Sequence, residues 1–353
     1  MKKIGIITIQ SIVNYGNRLQ NYAVEQLIKQ RNFSVETIRI SNPVLWTKIY
    51  IKALLSRLSI KTYHNNQGKR TSNFLLFNKK YLNIKVLNSN RVSDYFSNFS
   101  YIILGGDQLW APGNQDYGIN GYRFGSMVEP NRRIPFGVSF GSDGLPKEYL
   151  LSIKPWIDQL QYLAIREKSG ADIIQNITHR RANVLLDPVF GLSIHEWNKI
   201  CNSFECKVKD YALSFFLNGC SKEVSKEIEK IASKRAIIDI NDFNSEYSQV
   251  GPDQFIGLIK YSDIVFTDSF HCAAFAIIFN KPFVVFQRNN WDPRQITRLT
   301  NMLKIFGLED RLYNNSNNRK NWYDIDYKTV NIILRKEVKK MEEYLDSTIG
   351  RQK

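Results

Sequence analysis

The chain has 353 residues, of which 43% are hydrophobic and 13% aromatic, and its formal net charge is +16. This length accommodates two domains of roughly 100 to 200 residues each, and the composition excludes a disordered chain, which is poor in apolar residues. No apolar run reaches the length of about 18 residues that a membrane-spanning helix needs, and the four cysteines show neither a CxxC pair nor a zinc-like spacing with histidine, which favours reduced cytoplasmic thiols.

The first 40 residues predict a βαβ unit. KIGIITI is a compact apolar strand, and the polar residues after it interrupt the run where an export signal needs a longer apolar core. A polar turn leads into the helix RLQNYAVEQLIKQ, and SVETIRI forms a second strand, so a parallel sheet with helices on both faces is expected. In the turn, Asn14, Tyr15 and Asn17 either begin the helix or present an amide and backbone N–H groups to a ligand.

A strongly basic segment follows. From Thr37 to Ser93 there is no Asp or Glu, and this one-sided charge attracts phosphates. Within it, PVLWTKIYIKALLSRLSIK (Pro43 to Lys61) is either a basic amphipathic helix suited to a membrane surface or an exposed helix whose apolar stripe packs on its own domain. No nucleic-acid-binding motif is present, so a nucleic-acid partner is not expected.

Four later segments each predict an apolar strand that ends in a Gly- or charge-bearing loop; these are YIILGGDQLW, RIPFGVSFG, YLAIREKSG and NVLLDPVFG. Open α/β sheets bind ligands at one such edge. In the first segment, Gly105 and Gly106 allow backbone N–H groups to approach a ligand, and Asp107 and Gln108 can orient hydroxyls. The alternative is a tight turn whose aspartate caps the next helix.

The third of these segments carries two cations after its strand. Arg166 offers a bidentate grip on carboxylate or phosphate, with Lys168 beside it. The alternative is a pair of solvated charges that open a helix, with Glu167 as their partner.

A second strand–helix series begins after GLSIHEWNKICNSFECKVKD, a linker with one or two helical turns. We therefore predict an N-terminal domain over residues 1–195, a C-terminal domain over 205–325, and a long helix over 326–353 that packs back on the body. The basic segment 37–93 belongs to the first domain in this division.

The segment TDSFHCAAFAIIF places one of only four histidines at a strand-to-helix junction. His271 should project from a helix N-terminus at the carboxyl edge of the sheet, where it can act as acid or base, with Asp268 and Ser269 beside it. The alternative is a histidine that caps or packs the helix start. The phosphate loops GxGxxG and GxxxxGK[ST] are missing, which argues against an ordinary dehydrogenase or ATPase.

Taken together and in order, these segments resemble the polysaccharide pyruvyl transferase family. The resemblance runs from residue 4 to about 312 and is specific as a combination. The matching segments are NYGNRLQNYAVEQLIK, YIILGGDQLW, FGVSFG, LAIREKSG, LLDPVFGLSIHEW, DIVFTDSFHCAAFAIIFNKPFVVF and RQITRLTNMLKIFGLEDRL.

The resemblance implies an α/β fold with two Rossmann-like domains facing across a cleft, as in GT-B glycosyltransferases, and the N-terminal domain as the acceptor side. It further implies transfer of pyruvate from phosphoenolpyruvate onto two hydroxyls of a sugar as a cyclic ketal. Carried over by position, His271 resembles the general acid at the donor, and Arg166 and Arg298 resemble donor-binding basic positions. Ser269 and Phe270 set the turn that aims His271. No cofactor beyond phosphoenolpyruvate as donor substrate and no metal is implied.

Two positions depart from the family pattern. Cys272 stands where many members have glycine, and Ser269 stands where some have an arginine that would bind an anion. Two alternatives to the pyruvyl transferase stay open: a GT-B glycosyltransferase that uses a nucleotide sugar, and a non-catalytic binder of anionic glycans or lipids. The basic segment favours a lipid-linked oligosaccharide as acceptor and a cytoplasmic protein peripheral to the inner face of a membrane.

Overall fold

The computed structural model describes residues 2–9, 11–58, 62–89, 92–113, 117–201, 204, 206–288, 297–314 and 321–352. Contacts divide the chain into two compact units. The N-terminal unit comprises Met1–Ile49, Asn78–Leu192 and Lys336–Lys353, and the C-terminal unit comprises Tyr50–Phe77 and Ser193–Arg335. The basic segment 37–93, assigned by sequence to the first domain, is thus shared between both units, and the last part of the C-terminal helix groups with the N-terminal unit.

The N-terminal unit is built on a parallel sheet of order β3-β2-β1-β4-β5. Its strands are β1 Lys3–Ile7, β2 Ser34–Ile40, β3 Ile84–Leu87, β4 Tyr101–Leu104 and β5 Arg133–Pro135, and a separate short parallel pair consists of β6 Ala164–Ile165 and β7 Asn183–Val184. The α-helices in the first half of the chain, up to residue 178, are α1 Tyr15–Lys29, α2 Pro43–Leu55, α3 Thr62–Tyr81, α4 Val92–Phe96, α5 Lys147–Gln159 and α6 Lys168–Thr178.

Strand β1 lies inside this sheet, and its register explains its composition. It pairs in parallel with β2, where Ile7 lies beside Ile38, and with β4, where Ile7 lies beside Leu104. A strand covered on both faces needs a continuous apolar run, as KIGII provides. Gly5 is required because a Cβ there would lie 2.7 Å from the Ile102 Cδ1 atom.

The C-terminal unit repeats this plan with a parallel sheet of order β11-β10-β8-β9. Its strands are β8 Tyr211–Phe215, β9 Ala236–Asp239, β10 Ile264–Thr267 and β11 Phe283–Val285. The later helices are α7 Ile194–Cys201, α8 Lys222–Ala232, α9 Pro252–Tyr261, α10 Phe270–Ile278, α11 Thr297–Phe306 and α12 Tyr327–Thr348. Helix α10 is almost wholly buried, and its Phe275 ring packs edge-on against Trp197 with ring centres 4.8 Å apart.

Both sheets are parallel, and strands alternate with helices along the chain. The predicted fold class, α/β with two Rossmann-like domains, is therefore confirmed. Strand order reverses between β1 and β4 in one sheet and between β8 and β10 in the other, and ligands of such sheets bind at the carboxyl ends of strands at these switch points. Within the described ranges, no helix is both long enough and apolar enough to span a bilayer.

Candidate functional site

His271 lies where the sequence predicts it, at the carboxyl end of a strand beside a switch point. Strand β10 ends at Thr267, and α10 begins two residues after the intervening Asp268. Ser269 is the N-cap of α10, since its hydroxyl accepts a hydrogen bond from the Cys272 amide at 3.5 Å. The Ser269 amide in turn donates to the Thr267 hydroxyl at 2.9 Å. These two bonds fix a tight turn from strand to helix.

The His271 side chain is nearly buried, with 6% of its surface exposed. The Phe270 ring packs edge-on against the imidazole, with ring centres 5.1 Å apart. The first turn of α10 contains no acidic residue. Its backbone N–H groups and the positive end of the helix dipole therefore favour an anion at this point.

Asp268, at the end of β10 beside His271, forms hydrogen bonds with residues that follow β8 and β11. Its Oδ1 accepts a hydrogen bond from the Leu217 amide, just after β8, at 2.8 Å. Its Oδ2 accepts from Nε of Arg288, just after β11, at 3.1 Å, and Arg288 Nη2 also donates to the Asp268 carbonyl at 3.3 Å. Burial raises the pKa of Asp268, while the Leu217 amide and Arg288 act against that rise. These hydrogen bonds to Asp268 stabilise the turn that precedes His271.

Arg288 is a residue that the sequence analysis missed. The available signal was a cation shortly after the apolar run PFVVF, separated from it only by Gln287. Arg298, which was predicted, is half-buried at the second position of α11, in the same unit as His271. Cys272 is fully buried, and burial raises the pKa of its thiol to about 12, so it stays a small neutral side chain.

Arg166 lies in the N-terminal unit and is enclosed by carboxylates. Its Nη1 atom lies 2.7 Å from Asp107 Oδ1 and 2.9 Å from Asp187 Oδ2, and the Asp187 side chain is fully buried. Burial by itself lowers the pKa of Arg166, but Asp187 and Asp107 outweigh it and raise the pKa above its ordinary value. The predicted contact of Arg166 with a donor has to accommodate these two ion pairs.

Gln20 on α1 completes this network. Its Nε2 donates to Asp187 Oδ2 at 3.2 Å and to the Gly137 carbonyl at 3.0 Å, while its Oε1 accepts from the Asp107 amide at 2.6 Å. The loops after β4 and β7 are thereby joined to α1. Sequence reasoning took Asp187 as a strand end and passed over Gln20, whose hydrogen-bond partners Asp107 and Asp187 are far from it in the sequence.

The predicted residues in the turn before α1 and in the loop after β4 have structural contacts in this structure. Asn14 caps α1, since its Oδ1 accepts from the Asn17 amide at 3.0 Å, and Tyr15 and Asn17 are buried. The Gly105 amide donates to the Ile7 carbonyl at 2.9 Å. A Cβ on Gly106 would lie 2.9 Å from the Ile9 amide nitrogen, so this glycine lets the loop after β4 approach the end of β1.

Two further predicted residues differ in their surroundings. Gln108 adopts a left-handed backbone with φ of 56° and packs under Gly141. Lys168 is exposed, and its ammonium pairs with Asp172 at 3.0 Å, as in the solvated-charge alternative. Glu167, however, is not its partner: it is buried and accepts from the Ser139 hydroxyl at 3.0 Å and the Phe140 amide at 2.8 Å.

The predicted site residues thus fall into two sets. The C-terminal unit holds Ser269, Phe270, His271 and Arg298, and the remaining predicted residues lie in the N-terminal unit, namely Asn14, Tyr15, Asn17, Gly105, Gly106, Asp107, Gln108, Arg166 and Lys168. In the described ranges no three His, Cys, Asp or Glu side chains are grouped to hold a metal ion. A cavity at the start of α12, bordered by Phe306, Arg311 and Asp324, contains none of these residues.

Comparison with known proteins gives one strong match. A model of the polysaccharide pyruvyl transferase family matches residues 14–290. No curated protein matches the chain. Similar solved structures include UDP-GlcNAc 2-epimerase from Neisseria meningitidis bound to UDP-GlcNAc, at 11% identity and TM-score 0.49, covering 97% of this chain and 94% of that one. The wall teichoic acid polymerase TagF (H444N with CDPG) is 12% identical with a TM-score of 0.45, and the match covers 99% of this chain and 83% of that one. E. coli ADP-heptose LPS heptosyltransferase II is 13% identical with a TM-score of 0.32, and the match covers 97% of this chain and all of that one. These structural likenesses are too distant to support a substrate.

Proposed function

The chain belongs to the polysaccharide pyruvyl transferase family, and from this membership we propose that it transfers pyruvate from phosphoenolpyruvate to two hydroxyls of one sugar, forming a cyclic ketal. The observation that carries the proposal is the setting of His271. A nearly buried imidazole begins a buried helix, at the carboxyl end of β10, next to the switch point of the sheet. An acid–base group and an anion-favouring helix end therefore coincide.

The chemistry requires an acid and a stabilised phosphate. Protonation of the methylene carbon of phosphoenolpyruvate makes the neighbouring carbon cation-like, and one sugar hydroxyl adds to it and loses its proton. The bond from that carbon to the phosphate oxygen then breaks, phosphate leaves with the bonding electrons, and the second hydroxyl adds to the carbon and loses its proton, which closes the ketal. We assign the first proton to His271, because an imidazole can both give up and regain a proton and this one lies at a helix start that favours the donor's anionic groups.

The departing phosphate carries the charge that has to be stabilised. We assign this to the N–H groups at the start of α10 and to Arg298 in the same unit, since fixed dipoles and cations act on charge that develops in the transition state. Arg288 holds Asp268 and so keeps the turn before His271 in place. Binding of the donor by Arg166 stays a prediction.

The proposed reaction is tested by calorimetric titration with phosphoenolpyruvate, followed by phosphate release in the presence of a panel of aryl glycosides as acceptors. We expect saturable donor binding, and phosphate release only when phosphoenolpyruvate and an acceptor are both present. Release of nucleoside diphosphate from a nucleotide sugar, without consumption of phosphoenolpyruvate, would favour the glycosyltransferase instead. Glycan binding with no turnover of either donor would favour the non-catalytic binder.

We further propose that α2 contacts an anionic membrane surface. Val44, Ile51 and Leu55 fall within about 40° of one another on a helix of 3.6 residues per turn, and they are 65%, 50% and 58% exposed. Lys48 and Lys52 lie beside them and are exposed too. These three side chains are therefore not packed on the protein. On the other side of α2, Ala53 is buried and Trp46, Ile49, Tyr50 and Leu54 are half-buried, as in the second sequence-based interpretation. Lys61, at the end of the predicted segment, lies outside the described residues.

Replacement of Ile51 and Leu55 by glutamate is expected to lower binding to phosphatidylserine-containing vesicles by about tenfold or more, because two apolar anchors are lost and two like charges face the lipid. Cosedimentation measures it. Ile332→Glu, which alters an equally exposed apolar residue on α12 (54% exposed), serves as the control and should bind like the parent protein. Equal binding by all three proteins would refute the assignment of α2.

A further inference from the structure

Three polar side chains meet at the carboxyl edge of the N-terminal sheet and take no part in the mechanism above. Thr8 and Arg39 are the next residues beyond Ile7 and Ile38, the last pair in the register of β1 and β2. Residues in register on parallel strands point to the same face of a sheet. Thr8 and Arg39 therefore lie on one face, and it is the face covered by α1.

The packing of α1 on β2 brings Arg18 to this place. The Thr37 hydroxyl lies 3.0 Å from Asn21 Oδ1 and 2.9 Å from Glu25 Oε1. Arg18 lies about one turn before Asn21 on the same side of the helix, and Arg39 lies two residues after Thr37 on the same side of the strand. Both arginines therefore lie beyond the Thr37 contact, close enough for the charge of Arg39 to act on Arg18.

Each of the three groups has a buried polar atom for which the described residues supply no hydrogen-bond partner. Arg18 is 2% exposed; its Nη2 donates to the Ile9 carbonyl at 2.8 Å, but its Nε has no partner among these residues. The same holds for Nε of Arg39 and for the Thr8 hydroxyl. Neither arginine forms an ion pair with any carboxylate in the described part of the chain. Buried donors without partners are costly and uncommon.

The electrostatic setting agrees with an excess of positive charge. Burial, and then the charge of Arg39, lower the pKa of Arg18 to about 10, and burial lowers the pKa of Arg39 to about 10. The charge of Glu25 raises the pKa of Arg18, but the Glu25 carboxylate already accepts hydrogen bonds from Thr37, Lys29 and the Asn83 amide. The Trp46 ring, at the start of α2, lies 3.8 Å from the Arg39 guanidinium and shields it from water.

We propose that Thr8, Arg18 and Arg39 bind a phosphate or diphosphate group. Two guanidiniums match the two charges of such a group, whereas a carboxylate would neutralise one of them, and the fork of each guanidinium fits phosphate oxygens. The site adjoins the switch point between β1 and β4, where Gly106 brings the two loops together.

The identity of this group rests on the proposed function. Since the C-terminal unit carries His271, the helix N–H groups and Arg298 that are assigned to phosphoenolpyruvate, the group bound here is the diphosphate that carries the acceptor sugar. A nucleoside diphosphate and a prenyl diphosphate supply the same chemistry. Trp46 belongs to α2, the helix with the exposed apolar stripe, so both sources have to be compared.

The test is calorimetric titration of the full chain with inorganic pyrophosphate, comparing the parent protein with Arg18→Gln, Arg39→Gln and Lys85→Gln. Each arginine variant should bind pyrophosphate about 10- to 100-fold more weakly, since a hydrogen bond between charged groups is lost. Lys85→Gln removes one positive charge at an exposed position of β3 and should bind like the parent. Because Arg39 is an incompletely satisfied cation, Arg39→Gln should also unfold at no lower temperature than Lys85→Gln.

Uridine diphosphate and geranyl diphosphate are then titrated to distinguish a nucleoside diphosphate from a prenyl diphosphate. The compound that binds more tightly identifies which of the two carries the acceptor sugar. No binding of pyrophosphate, or binding that the arginine variants leave unchanged, would overturn the site. Displacement of pyrophosphate by phosphoenolpyruvate at this site would overturn its assignment to the acceptor. Pyrophosphate binding needs no turnover, so a chain that binds it through Arg18 and Arg39 but releases no phosphate from phosphoenolpyruvate would refute the proposed reaction and leave the anion site intact.

Discussion

Replacing His271 by glutamine or alanine is expected to lower the rate of acceptor-dependent phosphate release by about 10²- to 10⁴-fold, the usual contribution of a positioned general acid. The dissociation constant for phosphoenolpyruvate should change much less, because the helix N–H groups and Arg298 assigned to the donor remain. The measurement is kcat in the coupled phosphate assay, beside the calorimetric dissociation constant of the same variant.

Two controls make this result specific to the imidazole. His195→Ala changes an exposed histidine in the same unit and should leave the rate unchanged. Glutamine fills nearly the same space as histidine, so His271→Gln separates lost chemistry from a cavity in a site that is only 6% exposed. A rate near that of the parent for either His271 variant, with the fold intact by circular dichroism, would rule out His271 as the acid.

Arg166→Ala is expected to destabilise the N-terminal unit by about 3 to 5 kcal/mol, because it leaves buried carboxylates without their cation. The Asp187 side chain is fully buried and Asp107 is 13% exposed, so water cannot replace the lost ion pairs. Lys154→Ala breaks an exposed pair with Asp158 in the same unit and should cost about 0.5 kcal/mol or less. Urea unfolding followed by circular dichroism measures both.

A triple variant, Arg166→Met with Asp107→Asn and Asp187→Asn, separates stability from donor binding. Removing all three charges should recover much of the lost stability, since Asp107 and Asp187 no longer carry charges that Arg166 compensated, while Glu167 keeps its hydrogen bonds from Ser139 and Phe140. If the triple variant is stable and binds phosphoenolpyruvate normally, Arg166 acts by positioning the loops after β4 and β7. Loss of donor binding in that stable background would support the sequence-based assignment of Arg166 to the donor. Equal stability of Arg166→Ala and Lys154→Ala would contradict the importance of these ion pairs for the fold.

Much of the fold could be predicted from local patterns. The compact apolar runs KIGIITI and DIVFTDS contain strands, and a helix begins at Phe270, beside the predicted strand-to-helix junction at His271, because side-chain periodicity and capping are local properties. Strand β3 and helix α3 were not predicted, since the polar, acid-free stretch around them shows neither period clearly. The segments at Arg166 and Asp187 contribute only two-residue strands, which pair with each other outside the five-stranded sheet.

In the candidate site, too, some features could be predicted from the sequence and others depend on tertiary contacts. Residue types and their order along the chain by themselves determined the family, the α/β class and the position of His271 at the end of a strand. Only the tertiary structure decided which charges are compensated: Arg166 forms ion pairs with Asp107 and Asp187, while Arg18 and Arg39 form no ion pair within the described part of the chain. The reason is physical. Helix and strand periods repeat over a few residues, whereas the partner of a charge depends on which strand ends and helix faces folding brings together from distant parts of the chain.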